Sequence, residues 1–400
     1  MPRDTRVARW AVSAIFFLTG AGTANWAVRI PAVQFALGLS DGRLGLALLG
    51  VSAGAILAMP VAGHLVAKHG SRPVTGIAAL CFAFTLALPA RAPTFAVLMA
   101  ALVALGLANG VLDVAMNAQA AAVQQRYVVP IMGRVHALYS CGGLVGAVIG
   151  GRVAAAGILP AAHLTAVGLT IAAGASAVLL GMLPAHTDAA PNRQKSAGKL
   201  RVLLPLGILA FCVLFGEGTM MNWSAVYLRN VIGTGPGMAA AGFAAFSLMM
   251  TIGRTVGDTL TVKLGAVRLT QLGGALAVVG AATALAFSHP LPVVLGFGAV
   301  GAGLSIIFPI VLGAAARTPG LVPGASIAMV SMCGYSGLLA GPPLIGAVAN
   351  LTSLRGGLAL VVITSAFVLV LARAVGGHWR PGAAGDSAMS SRVAARGSAT

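Results

Sequence analysis

Seven acidic residues occur in 400, and two of them, Asp113 and Glu217, stand inside long apolar runs. A carboxylate in a membrane span costs at least ~2.5 kcal/mol on insertion scales, so it faces a bundle interior or a wet path. The chemistry open to such a group is to take up and give back a proton, or to anchor a structural hydrogen-bond network. Asp113 is flanked by Asn109 and Asn117 at i−4 and i+4, which puts all three on one stripe of a helix. Those amides can bind a polar solute or tie helices together at ~0.6 kcal/mol per bond. Glu217 is followed by Asn222 and Trp223, and an earlier run carries Asn25 and Trp26. The two indoles can stack on an apolar or sugar face of a solute, or sit in an interfacial aromatic belt. Arg29 follows close by; it can attract an anion, join a gate, or snorkel to the interface.

Three further groups belong to this inventory. His136, Tyr139 and Ser140 fall on one side of a later run, where His136 suits a proton relay or a structural hydrogen bond. Tyr335 has the same two readings in the second half. Arg254 and Asp258, four apart, are expected to pair as a gate or structural lock.

Other chemistries find no support. Cys81, Cys141, Cys212 and Cys333 lie in separate apolar runs without a CxxC or Cys/His cluster, which suggests neither zinc nor a disulfide framework. No phosphate-binding GxxxxGK[ST] motif is present, so direct nucleotide use and nucleotide cofactors are not expected. No nucleophile–base set or metal-ligand set stands near Asp113, which argues against an enzyme. The net charge of +18 is spread over short loops and tails with no aromatic-bearing basic face, so nucleic acid is not an expected partner.

The elements that must position these residues follow from composition. The chain is 58% hydrophobic and 8% charged, against roughly 25% charged in soluble domains. Apolar runs of about 20 residues recur, as in an all-α membrane protein. Twelve spans are expected, near 10–33, 43–67, 74–91, 95–124, 134–156, 162–184, 203–229, 237–262, 268–288, 292–316, 325–347 and 355–376. A polar stretch divides them, giving an N-terminal six-helix bundle at 1–184, a cytoplasmic linker at 185–202 and a C-terminal six-helix bundle at 203–376. Residues 377–400, rich in Ala, Gly, Ser and Arg, read as a disordered cytoplasmic tail.

With the N-terminus inside, 18 of the 25 Lys and Arg residues fall on the cytoplasmic side, Arg3, Arg6, Arg9, Lys68, Arg72 and Arg268 among them. This asymmetry places both termini in the cytoplasm. Arg3, Arg6 and Arg9 precede an apolar run too long for a signal peptide, and it reads as a retained first span. The halves also echo each other: Gly22-Thr-Ala-Asn-Trp26 matches Gly218-Thr-Met-Met-Asn-Trp223, and Cys141-Gly-Gly matches Cys333-Gly-Tyr. Two six-helix bundles related by a pseudo-two-fold axis along the membrane normal would carry such a parallel repeat. The Gly341-Pro342-Pro343 run is expected to kink its helix.

After the second span comes Gly63-His-Leu-Val-Ala67-Lys68-His-Gly70-Ser-Arg72, with a looser copy from Gly253 to Arg268. This run resembles the loop motif of the major facilitator superfamily, with Ala67 where the family has an acid. Trp26-Ala-Val-Arg29-Ile-Pro31, Leu112-Asp113-Val-Ala-Met-Asn117-Ala-Gln119 and Glu217 through Tyr227 further resemble a bacterial branch loosely related to the fucose permeases, which often has Asp at the place of Asn222. The resemblance implies a secondary active transporter in a bacterial inner membrane, and gating by Lys68, Arg72, Arg254 and Asp258. The expected partners are a small polar or amphipathic solute, a proton and the lipid bilayer. Asp113 and Glu217 are the expected proton-coupling pair of a symporter. Asn25, Trp26, Arg29, Asn109, Asn117, His136, Tyr139, Asn222, Trp223 and Tyr335 are the expected solute contacts. An efflux pump and a non-transporting sensor or assembly partner of the same fold are the competing readings.

Overall fold

The computed structural model describes residues 3–126, 131–184, 200–319, 321 and 323–376. The tail 377–400 and nearly all of the linker 185–202 lie outside the described residues. The helices run α1 (Arg3–Ala36), α2 (Asp41–His69), α3 (Ser71–Thr85), α4 (Phe95–Gln125), α5 (Met132–Ala155), α6 (Pro160–Leu179), α7 (Leu204–Asn230), α8 (Pro236–Leu264), α9 (Ala266–Ala286), α10 (Pro290–Leu304), α11 (Ile307–Ala316), α12 (Pro323–Leu351) and α13 (Leu354–Leu371). Segments α10 and α11 are halves of one span, Pro290–Ala316, so the described residues hold twelve helices long and apolar enough to cross a membrane. Their bounds lie within a few residues of those read from hydropathy.

Local signals set the helix starts. Ser40, Thr94 and Ser353 each accept a hydrogen bond from the backbone N–H three residues on, at Arg43, Val97 and Gly356. Prolines occupy the first turns of α6, α7, α8 and α10, where their missing N–H has no intrahelical partner to lose.

The packing scheme of one half recurs in the other. Contacts of α1 with α5 and α6, α2 with α4, and α3 with α4 and α6 are matched by α7 with α12 and α13, α8 with α10, and α9 with α10 and α13. Corresponding turns also share backbone geometry. Gly70, between α2 and α3, has φ 82° and ψ 159°; Gly265, between α8 and α9, has φ 80° and ψ 152°. A positive φ of this size is readily adopted only by glycine, which explains a glycine at this point of the loop in both halves.

The halves meet along two seams, α5 with α8 and α2 with α12. We call the side holding the α2–α3 and α8–α9 turns the terminal face, since α1 starts there and α13 ends there, and the opposite side the far face. Both seams are shut toward the far face. A Cβ on Gly45 would press against the Pro342 carbonyl oxygen and the Gly346 Cα, and one on Gly151 against Ala240 and Gly237. A side-chain clasp lies at the same end: Asn230 Nδ2 donates to Gln34 Oε1 at 3.0 Å, and Gln34 Nε2 donates to Asp41 Oδ1 at 2.9 Å.

Toward the terminal face the seams part. Ala240, Ser247, Arg254 and Asp258 share the stripe of α8 that faces α5. Ala240 and Ser247 are buried, whereas Asp258 is exposed. On α2 and α5, Gly63 and Gly133 have open space where a side chain would stand. The gap between the parted seams on this side is a cleft.

The kink expected at Pro342-Pro343 is not a break: α12 runs through it as one helix. Pro342 has no N–H to give the Leu338 carbonyl, and Ser52 of α2 supplies the bond instead, Oγ to O at 3.2 Å. The interruption occurs in the tenth span, at Ser305–Ile306, where Gly253 and Gly257 let α8 lean directly on those two residues.

Candidate functional site

At the head of the cleft the structure brings four expected residues to one level. Asp113 on α4, Glu217 on α7, Arg254 on α8 and Tyr335 on α12 each stand ten to thirteen residues from the terminal-face end of their helix, or about 15–20 Å at 1.5 Å per residue. Position along the helix sets this level; the facing stripes then decide which side chains meet.

Two carboxylate assemblies form there, and each crosses between the halves. In the first, the Tyr335 hydroxyl donates to Asp113 Oδ2 at 3.3 Å, and Asn117 Nδ2 donates to Asp113 Oδ1 at 3.1 Å. The i, i+4 stripe read from sequence is therefore a real contact, and Asn117 also donates to the Asp113 carbonyl at 2.9 Å. Asn109, half-buried, lies one turn toward the far face on the same helix. In the second assembly, Arg254 Nη2 reaches both oxygens of Glu217 at 3.3 Å while Nη1 donates to Ser140 Oγ of α5 at 2.7 Å. The arginine thus ties an acid of its own half to a hydroxyl of the other.

The two assemblies share one electrostatic environment. The phenols of Tyr139 and Tyr335 lie within electrostatic range of both Asp113 and Glu217. His136 packs edge-on to Phe16, ring centroids 5.2 Å apart, and feels the charge of Arg254. A carboxylate in contact with a phenol, and another with a guanidinium, can hold or release a proton as the neighbouring donor approaches or withdraws.

Several expectations are corrected. Arg254 does not pair with Asp258: it turns inward to Glu217. Its guanidinium gains more from a carboxylate in the partly desolvated interior than from one in the open cleft, since Coulomb attraction rises as water is excluded. Trp26 and Trp223 do not line the cleft; they are 5% and 0% exposed, and both indole nitrogens are buried without a hydrogen-bond partner. Each is a large apolar filler of its half's core. Asn222 is buried, its amide returned to the Gly218 carbonyl at 2.8 Å. Asn25 does the same to Ala21, against Gly146 and Gly150 of α5.

Arg29 neither snorkels nor forms an outer gate. It is 3% exposed, and its Nε donates to His163 Nδ1 of α6 at 2.8 Å. His163 was not singled out from sequence, and the signal available was a lone imidazole in an apolar run. Ser140 carries the inter-half bond although the sequence marked it only as a neighbour of Tyr139. Lys68 and Arg72 sit at the terminal-face ends of α2 and α3, far from the two assemblies, with Lys68 exposed. Among the described residues no group of three or more His, Cys, Asp or Glu is placed to hold a metal ion.

Comparisons with known proteins bear on the fold and the family. The chain is 34% identical over 366 residues to an uncharacterized MFS-type transporter of Yersinia pestis, covering 90% of this chain and 94% of the relative. It is 34% identical over 369 residues to the membrane protein MosC of Rhizobium meliloti, covering 91% and 89%. Among solved structures, a bacterial homologue of the human lysosomal transporter Spinster, inward-facing and unoccupied, superposes with a TM-score of 0.71 at 14% identity over 96% of this chain and 100% of that one. The nucleoside transporter NupG superposes at 0.68 with 13% identity over 93% and 98%. The model of the Major Facilitator Superfamily matches residues 12–322. The chain belongs to that superfamily, whose members are transporters and not enzymes.

Proposed function

We propose that this protein is a proton-coupled secondary transporter of a small polar or amphipathic solute. It works by alternating access around the cleft between its two six-helix bundles, residues 1–184 and 203–376. The observation that carries the reading is that both intramembrane acids are engaged across the bundle interface: Asp113 with Tyr335, and Glu217 through Arg254 with Ser140. A proton on Glu217 removes the charge that holds Arg254, and a proton on Asp113 changes what Tyr335 can donate to. Each event alters the bonds between the bundles and so biases the balance between terminal-face-open and far-face-open states. Asn117, Tyr139 and Tyr335 are the solute contacts this arrangement favours. Asn25, Trp26, Arg29, Asn222 and Trp223 are assigned to bundle interiors.

The Lys and Arg asymmetry supports both termini being cytoplasmic, which makes the cleft inward-open, and the bacterial relatives support an inner membrane. We assign closure in the opposite state to Lys68, Arg72 and Asp258, toward the terminal-face ends of α2, α3 and α8. The test is a thermal-shift screen of the purified protein against sugars, nucleosides, amino acids, organic acids and drugs, followed by flux of the hit into proteoliposomes under an imposed pH gradient. Accumulation driven by the gradient should vanish in Glu217→Gln or Asp113→Asn. If both variants accumulate the solute as the native protein does, the coupling assignment is wrong.

A further inference from the structure

A groove on the membrane-facing flank of the first bundle lies apart from the central cleft. Its floor is α1, and α5 and α6 are its walls; Trp10, Ala14, Phe17, Leu138, Gly174 and Val178 line it, and its volume is about 400 Å³. The lining is almost wholly apolar, with the Ser13 hydroxyl as the polar exception. Gly174 makes the depth: a side chain there would meet Leu18. Trp10, two-thirds exposed, stands at the terminal-face end of the groove, the level at which indoles mark the boundary of hydrocarbon and headgroup.

Two cations crown the groove. Arg6 is one helical turn beyond Trp10 on α1, and Arg134 is one turn beyond Leu138 on α5, each at i−4 and therefore on the same stripe as the groove residue below it. Both are exposed. Arg9 adds a third positive charge, its guanidinium 5.7 Å from the centroid of the Trp10 ring. An apolar slot for a chain, with an interfacial indole and an exposed arginine one turn above it on each of two helices, matches one molecule in shape and charge.

We infer that this groove is a binding site for an anionic glycerophospholipid, one acyl chain lying along α1 between α5 and α6 and the phosphate and second anionic group held by Arg6 and Arg134. Basic pockets between membrane helices bind such headgroups. A zwitterionic lipid fills the same slot with its acyl chain, but its own cation offsets the gain from the arginines. Each arginine near a membrane surface strengthens anionic-lipid binding by roughly fivefold, so two give a preference of about thirtyfold. The site is independent of the solute and proton reading of the cleft.

The experiment titrates the purified full-length protein, in mild detergent, with dioleoyl phosphatidylglycerol or dioleoyl phosphatidylcholine and follows the thermal midpoint. Phosphatidylglycerol is expected to act at roughly thirtyfold lower concentration than phosphatidylcholine. The double variant Arg6→Gln/Arg134→Gln, altered only at exposed positions, should lose most of that preference and keep its midpoint without added lipid. Ala14→Phe, which blocks the floor, should weaken both lipids. Equal potency of the two lipids overturns the proposal, and so does a double variant with undiminished preference. An Ala14→Phe variant that binds both lipids as before overturns the seat of the chain, and stabilisation of equal size by glycerol 1-phosphate alone shows an anion site and not a lipid site.

Discussion

The Tyr335 hydroxyl lies 3.3 Å from Asp113 Oδ2, although the two residues are 222 positions apart and belong to opposite halves of the chain. Neither α4 nor α12 alone could specify this bond. It exists because the seams between the halves are shut beyond it and open before it. Removing the hydroxyl in Tyr335→Phe deletes a bond to a carboxylate, normally worth about 1.5–3 kcal/mol. Both side chains are half-buried, so water takes over part of the bond and the loss is expected at about 1 kcal/mol. A fall of a few degrees in the thermal midpoint would register it, and an unchanged midpoint would show that water replaces the phenol without cost.

The Arg254–Glu217 pair predicts an asymmetry between single and double variants. Arg254→Gln leaves Glu217 partly buried without its cation, and Glu217→Gln leaves Arg254 without its anion; side chains here are only 14% and 24% exposed. The double variant Arg254→Gln/Glu217→Gln strands no charge. Each single variant should therefore cost more than the double one, with a coupling of about 1–3 kcal/mol in a double-mutant cycle read by thermal or denaturant unfolding. Additive costs would mean that the pair is electrostatically idle.

Ser52 and Pro342 form a compensating pair. Ser52→Ala orphans the Leu338 carbonyl that Pro342 has already deprived of its helical donor, a loss of about 1 kcal/mol. In a Pro342→Ala background the helix supplies its own N–H to Leu338, and the same Ser52→Ala change should then be nearly neutral. Midpoints of the four proteins decide the matter. A Ser52→Ala penalty of the same size in both backgrounds would exclude this account.

The far-face closure depends on glycine at the α2–α12 seam. The Gly45 Cα approaches the Pro342 carbonyl and the Gly346 Cα so closely that a side chain does not fit. Gly45→Val is expected to wedge the seam and favour the far-face-open state. In a cysteine-free background, a cysteine at Ser52 should then react several-fold faster with an impermeant thiol reagent applied from the far side. Labelling at the native rate would show that the seam yields elsewhere.

Much of the architecture was legible in one dimension. A bilayer requires every backbone group to be satisfied within its own helix, so apolar runs of span length become helices almost regardless of context. Ser40, Thr94, Ser353 and the first-turn prolines set where those helices begin, and Gly70 and Gly265 mark the turn that both halves repeat. The rarity of acids made Asp113 and Glu217 conspicuous, and i, i+4 spacing correctly joined Asn117 to Asp113.

What the chain by itself did not determine is which way each helix turns. Hydropathy in a membrane helix is high on every side, so it carries little information about the buried face, unlike the polar–apolar contrast of a soluble helix. Residue type and the family resemblance make Trp26, Trp223, Asn25 and Asn222 expected solute contacts, and rotation takes them into bundle interiors. Arg254 had a partner four residues away in Asp258 and chose Glu217, thirty-seven away, because tertiary packing put that acid in the drier place. Sequence settled the spans, the repeat and the two acids. Only the packing of one half against the other decided that Asp113 meets Tyr335 and that Arg254 holds Glu217 and Ser140 together, because those bonds belong to the interface and to no single helix.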